Sequence, residues 1–170
     1  DVKNDQEQYA LFGEATYKIT DALHLTLGLR WFDWKQSFDL LYAGLFQGGE
    51  YTLVDSTSAS KFSPKFNLAY HGGDGWMIYG NIAKGYRLGG INDPVPVDLC
   101  SGDLNDVGLT EAPITFATDS LWSYEIGAKT EWLDNRMTLN AAAFYIDWKD
   151  VQTLKNLPNC GFYFTENVGQ

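Results

Sequence analysis

Residues 121–148, LWSYEIGAKTEWLDNRMTLNAAAFYIDW, alternate with a period of two on both sides of a four-residue turn, Leu133-Asp134-Asn135-Arg136. A period of two is that of a β-strand, because successive side chains point to opposite faces. In the first half Trp122, Tyr124, Ile126, Ala128, Thr130 and Trp132 form one face, and Leu121, Ser123, Glu125, Gly127, Lys129 and Glu131 form the other. All three charges share a face, and a Trp stands at each end of the uncharged one. In the second half Met137, Leu139, Ala141, Ala143 and Tyr145 are the uncharged face. Pairing Trp132 with Met137 puts both uncharged faces on one side and sets Lys129 opposite Asn140. The register the turn requires is the register the pattern requires. A long uncharged face fenced by aromatic rings is the pattern of a barrel wall that meets lipid.

The rest of the chain repeats this design. From about residue 8, Tyr9, Leu11, Gly13, Ala15, Tyr17 and Ile19 alternate with Gln8, Ala10, Phe12, Glu14, Thr16 and Lys18. After Thr20-Asp21-Ala22, the leucines 23, 25, 27 and 29 and Trp31 oppose His24, Thr26, Gly28, Arg30 and Phe32. Folding Tyr17 onto Leu25 keeps the apolar face continuous and brings Lys18 to His24. Residues 37–60 hold a turn signal, Gln47-Gly48-Gly49-Glu50, between alternating pieces, so the second and third strands are expected to run on as a long hairpin. The third strand, about 61–70, contains Pro64, which cannot donate to a ladder and is expected near a strand end or bulge. HGGDG, 71–75, is a short turn. In the fourth strand, about 76–88, Trp76, Ile78, Gly80 and Ile82 are expected outward and Tyr79, Asn81, Ala83 and Arg87 inward. Lys84 then falls on the outer parity, tolerable near a rim where its stem can snorkel. Residues 91–119 carry six acids and no Lys or Arg, and read as a solvated loop. Residues 152–161 read as a third long connection, with a seventh strand from about Phe162. Short connections at 20–22, 71–75 and 133–136 thus alternate with long ones, as short periplasmic turns alternate with longer extracellular loops in outer-membrane barrels. The expected fold class is all-β: an antiparallel up-and-down meander of about seven strands, a fragment of a larger transmembrane β-barrel.

Composition narrows the function. The formal net charge of −10 argues against a nucleic-acid partner, since phosphate contacts need basic patches. No run of about 18 apolar residues exists to form a transmembrane helix, which leaves strands as the way across a bilayer. The first residues, DVKNDQEQYA, have neither the basic nor the apolar region of a signal peptide, and FTENVGQ stops within a strand pattern. Both ends therefore read as cut, and residues 1–170 are expected to be an internal piece of a longer chain.

The pieces YALFGEATYKIT, LHLTLGLRW, FSPKFNLAY, YGNIAKGYRLGGIN, LWSYEIGAKTEWLDNRMTLNAAAFYIDWKD and ENVGQ, in this order, resemble the barrel of TonB-dependent outer-membrane receptors. GYRLGG followed by SYEIGAKTEW carries most of the specificity. The resemblance implies a 22-stranded barrel plugged by an N-terminal domain, in the bacterial outer membrane. It implies uptake of a ferric siderophore or similar large nutrient, energised through the TonB complex. The plug, the TonB box and the closing strands would lie outside these residues.

No catalytic constellation, metal-ligand spacing or cofactor motif is visible, so the chain is read as non-enzymatic. Glu14, Lys18, Arg30, Glu125, Lys129 and Glu131 are expected to face the lumen, pairing across strands or binding the plug. Arg87, Tyr86, Trp34, Tyr42, Phe46 and Tyr51 are the candidates for ligand contact at the mouth, since cations and aromatic rings suit catecholates and other anions. Cys100 and Cys160 are the only cysteines, and both fall in long connections on the extracellular side. A disulfide between them is expected, formed in the oxidising periplasm. Two other readings stand beside this one. A soluble lipocalin-like barrel would put the apolar face inside, the reverse of this charge pattern. A passive porin would need no plug-binding face.

Overall fold

The computed structural model describes residues 2–42, 51–73, 75–134 and 136–169. In chain order the elements are β1 (Val2–Lys18), β2 (Leu23–Tyr42), β3 (Tyr51–Gly72), β4 (Trp76–Arg87), β5 (Gly90–Ile91), α1 (Val97–Asp106), β6 (Thr115–Phe116), β7 (Asp119–Trp132), β8 (Met137–Lys149), β9 (Val151–Leu157) and β10 (Phe162–Val168). Six strands form one antiparallel sheet in the order β1-β2-β3-β4-β7-β8, and two small sheets pair β9 with β10 and β5 with β6. The main sheet is open, with β1 and β8 at its edges.

The ladder follows the alternation. Tyr17 lies opposite Leu25, and Lys18 opposite His24. Leu25 lies opposite Leu68, Leu68 opposite Gly80, Gly80 opposite Ile126 and Ile126 opposite Ala143, so one row of apolar or side-chain-free positions crosses the sheet. Trp132 pairs with Met137, and Lys129 with Asn140. The turn between β7 and β8 puts Leu133 and Asp134 at positive φ (56° and 55°), the left-handed geometry that suits the twist of a tight hairpin. The β2–β3 hairpin runs on to Tyr42 opposite Tyr51, as the alternation of residues 37–60 implied. Its expected turn, Gln47–Glu50, lies outside the described residues.

Four expectations need correction. Pro64 sits inside β3, opposite Leu29, not at a strand end or bulge. The ladder to β4 ends at the next residue, with Lys65 opposite Ala83, so on that flank Pro64 has no strand partner to which it must donate. Second, residues 152–161 are mostly strand: β9 leaves β8 at Asp150, a non-glycine residue with φ 54°, and only 158–161 turn. Third, the strand beginning at Phe162 pairs with β9, Val151 facing Val168, and is not a seventh member of the main sheet. The meander order survives, because β10 is antiparallel to the strand before it. The connection 91–119 also holds more structure than a solvated loop, since it contains the ten-residue helix α1.

Burial concentrates at the end where the long connections lie. Phe32, Trp34, Gln36, Phe38 and Leu40 alternate as buried residues up the extension of β2. A separate small core joins α1 to the β9–β10 hairpin through Cys100, Leu104, Leu157 and Phe164. Along the rest of the main sheet many large apolar side chains stay exposed, among them Leu27, Leu29, Phe66, Ile126 and Leu139.

Candidate functional site

The two faces of the main sheet differ in chemistry. The uncharged face carries Trp31, Trp122 and Tyr124 towards one end and Tyr70, Trp76 and Trp132 at the other. Their polar atoms find near partners: Trp31 Nε1 donates to Ser60 Oγ at 3.0 Å, and Trp132 Nε1 to Thr130 Oγ1 at 2.9 Å. Trp122 and Trp132 stand on one strand and one face. Ten residues at about 3.3 Å each, tilted by about 40°, span about 25 Å, the height of the apolar band of an outer-membrane barrel.

The opposite face is a polar wall. Lys65 Nζ meets Glu14 Oε2 at 2.8 Å across β2, an exposed ion pair that passes over Gly28. Thr16 and Thr26 share a hydroxyl hydrogen bond of 2.9 Å. Tyr79 Oη donates to Glu125 Oε1 at 2.6 Å, and Lys129 Nζ lies 5.9 Å from the centre of the same ring. Tyr79 lies flat across its partner Gly127, where a Cβ would stand 2.6 Å from the ring. Glu14, Lys18, Arg30, Glu125, Lys129 and Glu131 all belong to this face by register. Glu131 lies opposite Thr138 near the short turns, and its amide donates to Gly75 O at 2.7 Å. His24 and His71 stand together at that end with ring centres 4.6 Å apart.

The candidates for ligand contact lie at the other end, and the structure treats them unequally. Arg87 is half exposed and lies over the Trp148 ring at 4.6 Å. Its Nε and Nη2 both donate to Asp119, which is 1% exposed, and Nη2 also reaches Gln152 O at 3.3 Å. Tyr86 meets the Phe32 ring edge-on at 6.1 Å and lies under Lys84. Trp34 is 2% exposed and lines a cleft with Ser58, Ser60, Phe116 and Thr118, so it serves as floor rather than free surface. Tyr42 and Tyr51 pair through their backbones as the last described pair of the β2–β3 ladder. Phe46 lies outside the described residues.

Sequence reasoning found the disulfide at this end but missed the Asp103 clamp beside it. The Cys100–Cys160 disulfide is present, with Cα atoms 5.3 Å apart. Beside it Asp103, buried on α1, accepts hydrogen bonds from the amides of Asn159 (2.9 Å) and Cys160 (3.0 Å) and from the Asn159 side chain. Burial pushes the Asp103 carboxyl up, but the Cys160 amide, the Asn159 side chain and the Asn159 amide outweigh it and hold its pKa below the ordinary value. Asn92 makes a reciprocal pair with the backbone of Thr165, receiving its amide at 2.8 Å and donating to its carbonyl at 2.8 Å. Gln152 Nε2 donates to the carbonyls of Leu88 and Ala117, and Asn167 exchanges hydrogen bonds with Ala117. The connection 88–118 and the hairpin 151–168 are therefore one tied unit. Cys100, Asp103 and Leu104, at i, i+3 and i+4, share the one buried face of α1.

An open sheet with an apolar, aromatic-fenced face and a polar face, with its long connections at one end, is the wall of a transmembrane β-barrel. Residues 1–170 match the family model for the TonB dependent receptor-like β-barrel, and the chain belongs to that family, whose members lie in the bacterial outer membrane. Among curated relatives it is 29% identical over 146 residues to the pesticin receptor of Yersinia enterocolitica, covering 86% of this chain and 19% of that protein. It is 28% identical over 148 residues to the ferric-pyoverdine BN7/BN8 receptor of Pseudomonas putida, covering 84% and 15%. Among solved structures it superposes on the ferric yersiniabactin uptake receptor FyuA of Yersinia pestis with a TM-score of 0.68 at 24% identity, covering 89% of this chain and 21% of that one. The closed form of the ferric-catecholate import receptor Fiu of Escherichia coli K12 gives a TM-score of 0.66 at 20% identity, covering 96% and 24%. These likenesses show the fold. The chain spans about a fifth of the length of the relatives it matches.

Proposed function

We propose that residues 1–170 are an internal segment of a TonB-dependent receptor barrel, part of an active transporter that takes up a ferric siderophore or similar large nutrient. The observation that carries this is the pairing of an apolar band about 25 Å high with a charged opposite face. A polar wall suits a barrel filled by a plug and crossed by a polar cargo. The relatives include a ferric-pyoverdine receptor and a ferric yersiniabactin uptake receptor, which supports the substrate class. In this reading the plug and the TonB-contacting region lie outside the segment. Glu14, Lys18, Arg30, Glu125, Lys129 and Glu131 face the lumen, and Glu14–Lys65 and Tyr79–Glu125 brace the wall against the plug. Arg87, Tyr86, Trp34, Tyr42 and Tyr51 belong to the outer mouth, where ligand is met, and Phe46 is assigned to the ligand from the sequence alone. Work is done by binding and release, not by bond chemistry.

The test is uptake of radiolabelled ferric siderophores by cells whose only receptor is the intact protein, with and without the energy-coupling partner. Accumulation that disappears when the partner is removed supports active transport. Accumulation independent of the partner would make the barrel a passive pore.

A further inference from the structure

At the end where the short turns lie, two imidazoles share the polar face. The backbone brings them together. His24 lies opposite Ala69, and the His71 amide donates to Ala22 O at 2.7 Å, which carries the β2–β3 pairing past Tyr70. His24 and His71 are therefore diagonal neighbours on one face, a placement within reach of long side chains. Their ring centres are 4.6 Å apart and their planes are inclined at 48°. His24 Nε2 is buried and meets no hydrogen-bond partner among the described residues. A buried polar atom left in this way needs an explanation, and a bound ion is one.

The spacing of the rings suits a shared metal. A metal–nitrogen bond of about 2.0 Å leaves the metal about 3.2 Å from a ring centre, so two imidazoles on adjacent corners of a square or a tetrahedron have centres about 4.5–5.2 Å apart. The observed separation falls in that range. His71 also lines an open cleft of about 390 Å³ with Met77, Lys129, Glu131 and Asn140, which gives an ion a way in. Among the described residues no three His, Cys, Asp or Glu side chains converge, so the two imidazoles are the core of the site. Lys18, opposite His24, and Lys129 add positive charge at this end, so binding must come from the nitrogen donors rather than from attraction by carboxylates. Hard cations such as Ca²⁺ and Mg²⁺ prefer oxygen. Imidazoles suit late first-row divalent ions, with copper above nickel and zinc. We infer that His24 and His71 chelate a late first-row divalent cation, copper(II) foremost, on the polar face at the periplasmic end, with water completing the coordination. The inference rests on the β2–β3 register and not on transport.

The test uses the untagged full-length receptor in detergent, freed of metal by a chelator and titrated with copper(II) sulfate, with zinc(II) sulfate as the comparison probe. Calorimetry reads the affinity, and electron paramagnetic resonance reads the nitrogen splitting of bound copper. A copper(II) site split by two imidazole nitrogens is expected, tighter than the site for zinc(II). His24→Gln and His71→Gln should each weaken it by about tenfold or more, since losing even a ligand's supporting partner costs that much. The double variant should lose it. Copper should also slow amide exchange at residues 22–25 and 69–72 of the wild type. Copper bound equally by the wild type and the double variant, or through fewer than two nitrogens, would mean that the rings only stack, and would overturn the inference. Tighter binding of zinc would overturn the choice of metal. If the variants do not fold, the wild-type exchange decides, and copper that leaves residues 22–25 and 69–72 unprotected would overturn the site. None of these readouts involves uptake, so failure here is distinct from failure of the transport reading.

Discussion

Arg87 places its Nε 2.8 Å from Oδ2 of Asp119, a carboxylate that is almost wholly buried and also receives the backbone amides of Arg87 (3.2 Å) and Gln152 (3.3 Å). Three chain segments therefore converge on one carboxylate: the end of β4, the start of β7 and the start of β9. Replacing Arg87 with Ala strands a buried negative charge. The loss should be about 2–3 kcal/mol, less than for a fully buried pair because Arg87 is itself half exposed. Arg87→Lys should recover only part, since an ammonium cannot repeat the two-nitrogen contact. Limited proteolysis of 88–118 and the unfolding midpoint of the intact protein are the measurements, and both should move in Arg87→Ala.

The two faces of β2 should respond oppositely to charge. An Arg at Leu27, on the apolar face, should cost about 2–4 kcal/mol near the midplane, and an Arg at the adjacent Thr26 far less. Equal costs by reversible unfolding in lipid or detergent would contradict the facing.

Gly127 is required under Tyr79. Gly127→Ala should displace the ring and break its hydrogen bond to Glu125, at a cost of about 1–3 kcal/mol for overpacking. Tyr79→Ala should restore tolerance of Ala at 127. A double-mutant cycle on the unfolding free energy measures this coupling.

Most of the main sheet was legible because each strand carries the same signal twice, once in its alternation and once in the turn that sets its register. Trp132 against Met137 and Tyr17 against Leu25 could be read from pattern alone. Helix α1 could not, since its buried face is only Cys100, Asp103 and Leu104, and Asp103 has a polar side chain. What makes Asp103 an inside residue is Asn159, 56 positions away, and no local period reports that. The Asp150 break was hidden for a related reason: an Asp at positive φ looks like any strand-end acid until Asn167 is seen to hydrogen-bond its carbonyl. The disulfide was readable because there were only two cysteines to pair and the alternation of short and long connections put both at one end.

The disulfide and Asp103 should act together. Non-reduced peptide mapping should recover Cys100 and Cys160 in one linked species. Reduction releases a 60-residue separation, which the chain-entropy account values at about 4 kcal/mol. Faster amide exchange should appear in 97–106 and 157–162 first, with β7 and β8 little changed.

The Asp103 clamp should also weaken in acid. Its folded pKa lies below the ordinary 3.8, so its contribution is fully present above 3.8 and is lost as pH falls through the folded value. The opening free energy at the Asn159 and Cys160 amides, from hydrogen exchange corrected for its intrinsic pH dependence, should fall below about pH 4, and Asp103→Asn should flatten that dependence.

The central claim is that the main sheet is a membrane wall with its uncharged face in lipid. Single nitroxide labels at consecutive positions of β7, from Trp122 to Trp132, in the intact protein reconstituted in bilayers, test it most directly. Labels at 122, 124, 126, 128, 130 and 132 should be relaxed by oxygen, with the strongest effect midway. Labels at 123, 125, 127, 129 and 131 should show little oxygen access. Uniform accessibility along the strand, or oxygen access at the odd positions, would contradict the account.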